Sequence, residues 1–328
     1  MPGDRILRLA VVVDVVLLVL WLTSRLINER LLVTAVLADI PQVFFLALPA
    51  ASLLLAALAR NPRAAAVAAA GVVVVAWAFM GLQTGSPSDR PRDLRVVTWN
   101  VAKWMHGADA IAAGLRAIDA DVVCLQEAGA YHWLRDPQAQ PSTLAAAMAG
   151  YAVVHEGELM VLSRLPVRSR RARAIPPGPT RRPLLEVDVD VKGTSVAVFC
   201  VHMMPTLWRV KDSIDRGEAH DADLRGILDA RLAQAEQVQE IVTSSSSPSV
   251  LLGDLNSHPH ALVGTTLRGE LVDAFAAAGR GFGFTLGPEW PRARYDRVLV
   301  KGVEVRRAVV DSSAASDHFP LVADVALR

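Results

Sequence analysis

The stretch VLLGDLNS, residues 250–257, decides the fold. A short apolar run suited to a buried strand ends abruptly on an acid, Asp254, with an amide, Asn256, two positions later. The same pattern recurs on both sides of it. LRVVTWNV (94–101) carries Asn100 at its end, DVVCLQE (121–127) ends on Glu127, and SVAVFCVH (195–202) ends on His202. Further on, Asp296 opens the strand-like run in RYDRVLV (294–300), and Asp317 and His318 lead into the last run in SDHFPLV (316–322). Between these runs lie helical patterns. Residues 108–118 form one, and Leu224, Ile227, Leu228, Leu232, Ala235, Val238 and Val242 keep i, i+3, i+4, i+7 spacing in another. Strands mixed with helices from Leu94 to Arg328 specify a layered α/β domain. In such domains, ligand sites are built at strand ends.

Taken singly, each polar residue has an ordinary structural role. Asn100 caps a strand, Glu127 is solvated, His202 is half-buried, Asp254 and Asn256 make an Asx-type turn, and Asp317 caps one. Taken together they imply a site. Four carboxylates, Glu127, Asp254, Asp296 and Asp317, gathered in one cleft would repel each other, and a hard divalent cation would relieve that repulsion. With two histidines and two amides alongside, the set suits attack of water on phosphorus. All-oxygen ligands favour Mg²⁺, with Mn²⁺ and Ca²⁺ as alternatives.

The order of these motifs, together with VLSRLPV (161–167), resembles the endonuclease/exonuclease/phosphatase superfamily, also called deoxyribonuclease I-like. The resemblance implies a four-layer α/β sandwich over residues 94–328. It implies Glu127 as principal metal ligand, with Asn100 and Asp317 close by. Asp254 would orient or deprotonate the attacking water, and Asn256 would hold a phosphate oxygen. His202 would hold the phosphoryl group or assist the leaving oxygen, and His318 would pair with Asp296. The acidic or tyrosine partner of the first histidine falls in no clear motif here; Glu156 and Glu158 are nearby. With its apolar N-terminus, the chain further resembles membrane-anchored actinobacterial members of that superfamily, teicoplanin-resistance proteins included.

Residues 1–93 read differently. From Leu9 to Gln83 the only charges are Asp14, Arg25, Glu29, Arg30, Asp39, Arg60 and Arg63. Spans are expected at about 6–26, 40–59 and 64–83, making an anchor of about three transmembrane helices over residues 1–84. Pro41 marks the start of the second span and Pro49 is a tolerated kink within it, leaving 31–39 as an interfacial stretch. A signal peptide is the rival reading of residues 1–25, disfavoured because no A-x-A-like site follows Trp21 and further apolar segments do. Residues 85–93, rich in Ser, Pro and charge, read as a linker. Positive charges near the span ends fall four against five, so they do not orient the anchor. The tight Arg60-Asn61-Pro62-Arg63 turn reads as a cytoplasmic hairpin, which places the catalytic domain outside the cytoplasm of a multi-pass cell-membrane protein.

The domain from Leu94 onward carries 26 Lys+Arg against 27 Asp+Glu, so it has no basic footprint for nucleic acid. Tethered to a bilayer, it is expected to act on a lipid-linked or membrane-derived phosphate ester or diphosphate, with Trp104 and Trp208 as aromatic seats for the substrate. A nuclease is the alternative enzyme, and a non-catalytic binding module the reading of another class. Cys124 and Cys200, each inside an apolar strand, are expected to be buried free thiols.

Overall fold

The computed structural model describes residues 2–30, 32–130, 139–175, 182–205, 221–287 and 289–328. The chain divides into two compact units, Met1–Gln83 and Thr84–Arg328.

In the first unit, two helices are long and apolar enough to cross a membrane: Asp4–Leu26, with mean hydropathy 2.5, and Pro62–Phe79, with 1.7. The expected middle span starts after Pro41 as read, but as an apolar helix of Gln42–Leu58 it is shorter than the other two. The chain breaks at Ile40 and Pro41, makes a tight 3₁₀ segment at Gln42–Leu46, and only then forms the helix Ala47–Leu58. Pro41 lacks the N–H that would continue a helix, which accounts for the break. Pro49 introduces no kink, because it sits in the first turn of Ala47–Leu58, where an N–H has no intrahelical acceptor. The stretch read as interfacial contains its own short helix, Leu32–Asp39. Asn61 caps Pro62–Val74 by accepting from the Ala64 N–H, and Pro62 fits the first helical position. The expected third span ends early, since the helix closes in a π turn at Val75–Phe79.

The second unit holds two six-stranded sheets. One runs in the order Val303–Val310, Leu321–Leu327, Leu94–Asn100, Val122–Gln126, Leu159–Ser163, Ala152–Glu156. The other runs Val272–Asp273, Asp296–Lys301, Ser249–Asp254, Thr194–His202, Pro183–Val191, Val167–Ala174. Alternation along each strand assigns the faces. Leu94, Val96, Val122, Cys124 and Val161 of the first sheet pack against Val187, Val198, Cys200, Leu252 and Val298 of the second, making the central core. The other face of the first sheet, with Val97, Trp99, Val123 and Leu125, is covered by Ile111, Leu115 and Leu144 from the helices Ala108–Ile118 and Ala139–Ala147. The outer face of the second sheet, with Ala197, Phe199 and Leu251, takes Ala235, Val238 and Val242 of the helix Asp221–Ser244. The layers are therefore helix, sheet, sheet, helix, as the resemblance implied.

Two expectations are corrected here. Residues 85–93 are not a free linker. Their backbone is bonded onto the domain by Gly85 N–H to Gly279 O, Ser86 N–H to Ala277 O, Ser88 N–H to Arg306 O and Asp93 N–H to Val325 O, at 2.6–3.0 Å. A polar, proline-containing segment suits this role because it pairs through backbone groups and needs no apolar side chain to bury. Second, Cys124 and Cys200 form a disulfide, with their Cα atoms 5.6 Å apart. Both side chains point to the inner faces, one from each sheet, so the bond ties the two sheets together. Facing sheets ordinarily stand about 10 Å apart; at this point they converge, and the strands that continue past the bond end at the polar cluster described next.

Candidate active site

Strand register assembles the cluster. In the second sheet His202 lies opposite Asp254 in a parallel pair, and Asp254 lies opposite Asp296 in an antiparallel pair. Three residues from three adjacent strands thus form one row. In the first sheet Asn100 lies opposite Gln126, and Glu127 follows immediately. The SDH motif is held over this end by Ser316 Oγ donating to Asn100 O (2.7 Å) and by the Trp99 indole N–H donating to His318 O (2.8 Å).

The two sheets meet through Asn100. Its Nδ2 is 3.0 Å from Asp254 Oδ2 and 3.4 Å from Glu127 Oε1, while its Oδ1 accepts from the Ala102 N–H at 2.9 Å. In this arrangement Asn100 is a donor bridging two carboxylates, and its oxygen is engaged by the backbone. Asp254 Oδ1 accepts from the Asn256 N–H at 2.8 Å. Asn256 Nδ2 donates to Met203 O at 2.9 Å and stands 3.1 Å from His202 Nε2. His202 is 2% exposed, and its Nδ1 comes within 3.1 Å of Glu158 Oε1. The consistent tautomer has Nδ1–H facing Glu158 and Nε2 accepting from Asn256. On the other side, His318 Nδ1 bonds Asp296 Oδ2 at 2.7 Å, and its Nε2 points toward Asp254 Oδ2 at 3.9 Å.

Electrostatics separate the two histidines. Burial opposes a charged His318, but the carboxylates of Asp296 and Asp254 outweigh it and push its pKa up to about 10. Asp254 is itself buried, yet the charge of His318, with N–H groups of Asn256 and Asn100, holds its carboxyl below the usual range. Glu158 is likewise held low: burial opposes ionisation, and His202 and Arg182, the latter 3.2 Å away, overcome it.

The donor set fits a hard cation. Asp296 Oδ1 is buried without a hydrogen-bond partner, and ligand atoms of Asp254, Asp296 and His318 lie within 4.8 Å of one another. Among the described residues, those three could hold a metal ion together. Asp254 also faces Glu127 across the Asn100 amide, and Glu127 is partly open there.

The structure thus brings together Asn100, Glu127, His202, Asp254, Asn256, Asp296 and His318. Asp317 is exposed at the edge of this cluster, accepts from Ser316 Oγ at 3.3 Å, and adds its charge to those favouring a protonated His318. Trp104 differs from its expected role. It is 5% exposed, packs in the helical side of the first sheet, and donates its indole N–H to Gly129 O at 2.9 Å, so it presents no ring to a substrate. Trp208 lies outside the described residues.

Of the two acids noted near the unassigned partner of the first histidine, Glu158 takes the place beside His202, and Arg231 joins the site with no sequence signal of its own. Glu158 sits in the tight turn between Ala152–Glu156 and Leu159–Ser163, and only the closure of one sheet over the other carries it to His202. Arg231, 1% exposed on the long helix, donates to Asn256 O at 2.6 Å and braces the Asp254–Asn256 turn from behind. Backbone conformation is a further signal. Glu127 and Asn256 have φ of 53° and 45°, and Ala102, Lys103 and Trp104 follow one another at 47°, 54° and 66°. Each left-handed non-glycine residue costs roughly 1–2 kcal/mol, and such strain clusters at functional sites.

The profile of the endonuclease/exonuclease/phosphatase family matches residues 97–318. The chain belongs to that family. Its members are hydrolases of phosphoester bonds, and the match spans every site residue from Asn100 to His318. No curated protein matches the chain. Among solved structures, a family protein from Beutenbergia cavernae is 24% identical, with TM-score 0.51, covering 72% of each chain. A mannosyl-6-phosphatase from Bacteroides thetaiotaomicron is 16% identical, with TM-score 0.52, covering 71% of this chain and 100% of its own. A humanized Danio rerio TDP2 is 15% identical, with TM-score 0.54, covering 71% and 98%. At these identities the likeness is one of fold.

Proposed function

We propose that the chain is a membrane-anchored, divalent-metal-dependent phosphoesterase whose substrate is a lipid-linked or membrane-derived phosphate ester or diphosphate, and whose catalytic domain works outside the cytoplasm. The observation that carries the reaction class is the row His202–Asp254–Asp296 facing Asn100 and Glu127 across the two sheets.

Glu127 and Asp254 would hold Mg²⁺, which when bound supplies positive charge to phosphoryl oxygens. The chain's own groups do the rest. Asp254, fixed through one oxygen by the Asn256 N–H and through the other by Asn100, is oriented to take hydrogen bonds from a water molecule. The Asn256 side-chain amide, engaged by Met203 O and His202 Nε2, orients His202 rather than offering an N–H to a phosphate oxygen. His318, kept charged by Asp296, stabilises negative charge that builds on phosphorus. His202, held in one tautomer by Glu158, can accept a proton at Nε2 or hand one to the leaving oxygen.

The membrane part of the proposal is supported by the two apolar helices, the second of which ends at Phe79, fifteen residues before Leu94. The extracytoplasmic side is supported by the Cys124–Cys200 bond, since disulfides persist in oxidising compartments and are rare in reducing ones. The near-neutral charge of the domain disfavours, without excluding, nucleic acid. Phosphate release by the purified full chain with Mg²⁺ on polyprenyl diphosphate, phospholipid vesicles and DNA tests the substrate. Lipid phosphates should turn over well ahead of DNA. Rapid DNA cleavage with inert lipids would establish the nuclease reading instead, and protease resistance of the domain in intact cells would place it inside.

A further inference from the structure

Beside the segment 85–93, which is bonded onto the domain as a strap, lies a cavity of about 330 Å³ that shares no residue with the catalytic cluster. The strap forms one wall of it at Pro87, held between the bonds from Ser86 N–H to Ala277 O and from Ser88 N–H to Arg306 O. The inner walls are apolar, with Phe275 from the short helix Ala274–Ala278 and Val309 and Val310 from the edge strand Val303–Val310. Phe284 adds a half-buried ring, fixed by stacking on Phe282 with centroids 5.2 Å apart. Two exposed arginines, Arg280 and Arg307, complete the lining, and no carboxylate belongs to it. Among the described residues, no acid pairs with either guanidinium; Arg280 Nε lies 3.5 Å from Gly85 O. The two acids on the far side of Arg307 are taken: Asp311 accepts from Ser313 and Asp324 from Arg95.

We propose that this cavity binds the headgroup of an anionic phospholipid, with the phosphate between Arg280 and Arg307 and the glycerol and first acyl carbons against Phe284 and Val309. Guanidinium forks match phosphate oxygens in pairs, which suits two arginines that no acid neutralises. The apolar floor asks for a ligand with an uncharged body as well as an anionic head, and a volume of this size admits a small molecule but not a folded segment. The chain itself names the source. Pro87 stands eight residues after Phe79, the last residue of the second apolar helix, and eight residues reach at most about 28 Å. Arginines this close to a bilayer are drawn to its anionic lipids. The site docks the domain on lipid through groups other than those that act on phosphate. This inference rests on the membrane-anchored reading and is independent of the reaction proposed.

The test reconstitutes the full chain in phosphatidylcholine vesicles holding a minor fraction of phosphatidylglycerol with a photoactivatable diazirine near its headgroup, and maps the labelled peptides by mass spectrometry. Wild type should be labelled at residues 275–284 and 307–310. That labelling should fall about tenfold in Arg280→Gln and in Arg307→Gln, the size of one charge-assisted hydrogen bond, and further in the double variant, while labelling along Pro62–Phe79 holds steady. Excess unlabelled phosphatidylglycerol should compete, and the same excess of phosphatidylcholine or inorganic phosphate should not. Undiminished labelling of these peptides in the double variant, or equal competition by phosphatidylcholine or inorganic phosphate, would overturn the site. A chain that stays out of the vesicles would instead sink the membrane-anchored reading. Calorimetric titration with soluble dioctanoyl phosphatidylglycerol would then still decide the cavity, with affinity about 100-fold weaker in the double variant if the proposal holds and equal affinity if it fails.

Discussion

Breaking the Cys124–Cys200 bond should destabilise the catalytic domain more than any other single change to a side-chain pair in its core. The bond closes a loop of 76 residues. Loop-closure entropy for that length, 2.1 + 1.5R ln 76 in cal/mol/K, gives about 4.5 kcal/mol at 25 °C, if strain and residual unfolded structure are neglected. For a domain of this size, about 2–4 °C of melting temperature corresponds to each kcal/mol, so a loss of about 9–18 °C follows. The assay is tryptophan-detected thermal unfolding of the full chain in detergent, at one fixed scan rate, for wild type with and without reductant, for Cys124→Ala, for Cys200→Ala and for the double variant. Because either single substitution removes the whole bond, all three variants should fall by nearly the same amount. Independent packing losses would add instead. Reductant should lower wild type toward the variants and leave the variants unmoved. Additive losses, or a wild type that labels with maleimide when denatured without reductant, would refute the reasoning.

Other predictions follow from the same geometry. Asp296→Asn removes the carboxylate that keeps His318 charged, so kcat/KM should fall about 10²- to 10⁴-fold. The residual activity should also decline as pH rises through neutrality, where the wild type stays flat, because the raised pKa of His318 keeps it protonated there. His258 is buried, and burial followed by the charges of Arg297 and Arg294 pushes its pKa down to about 3. The unfolded chain therefore binds a proton below about pH 6.5 that the folded chain refuses. Stability should drop by roughly 2–3 kcal/mol between neutral pH and pH 4.5, and His258→Phe should flatten that slope in denaturation measured against pH. A Cβ at Gly85 would lie 2.5 Å from Gly279 O and 2.9 Å from Ala278 N, so Gly85→Val should lift the strap 85–93 and open it to limited proteolysis, while wild type resists cleavage there.

Much of the catalytic centre was readable before any coordinates, for a physical reason. A buried strand tolerates few polar groups, so an acid, amide or histidine at its end stands out against the run that precedes it. Asn100, Glu127, His202, Asp254 and Asp296 all carry that contrast. Residues whose role arises between elements carry none. Glu158 lies in a hairpin turn, where an acid is unremarkable, and its meaning depends on which sheet closes over it. Cys124 and Cys200 look like small hydrophobes in apolar strands; only the facing of the two sheets pairs them across 76 positions. Trp104 was misread because an aromatic after a strand can turn either way, and a left-handed turn of three residues sends this one inward. In the apolar region Pro41 marked a helix boundary as read, whereas Pro49, read as a kink, falls in a first helical turn where proline costs nothing, and absence of charge did not show where the third helix ends.

The central claim is that Glu127 and Asp254 hold a divalent cation with which the rest of the cluster hydrolyses a phosphate ester. The most direct measurement strips the full chain with a chelator, restores Mg²⁺ stepwise, and follows phosphate release together with Mg²⁺ binding by calorimetry, in wild type, Glu127→Ala and Asp254→Ala. The account predicts no turnover after stripping and recovery that tracks occupancy of a site in wild type. In both variants it predicts weakened binding and turnover lower by at least about 10²-fold. Undiminished phosphate release from the stripped protein, or full activity and unchanged Mg²⁺ binding in the two variants, would contradict it.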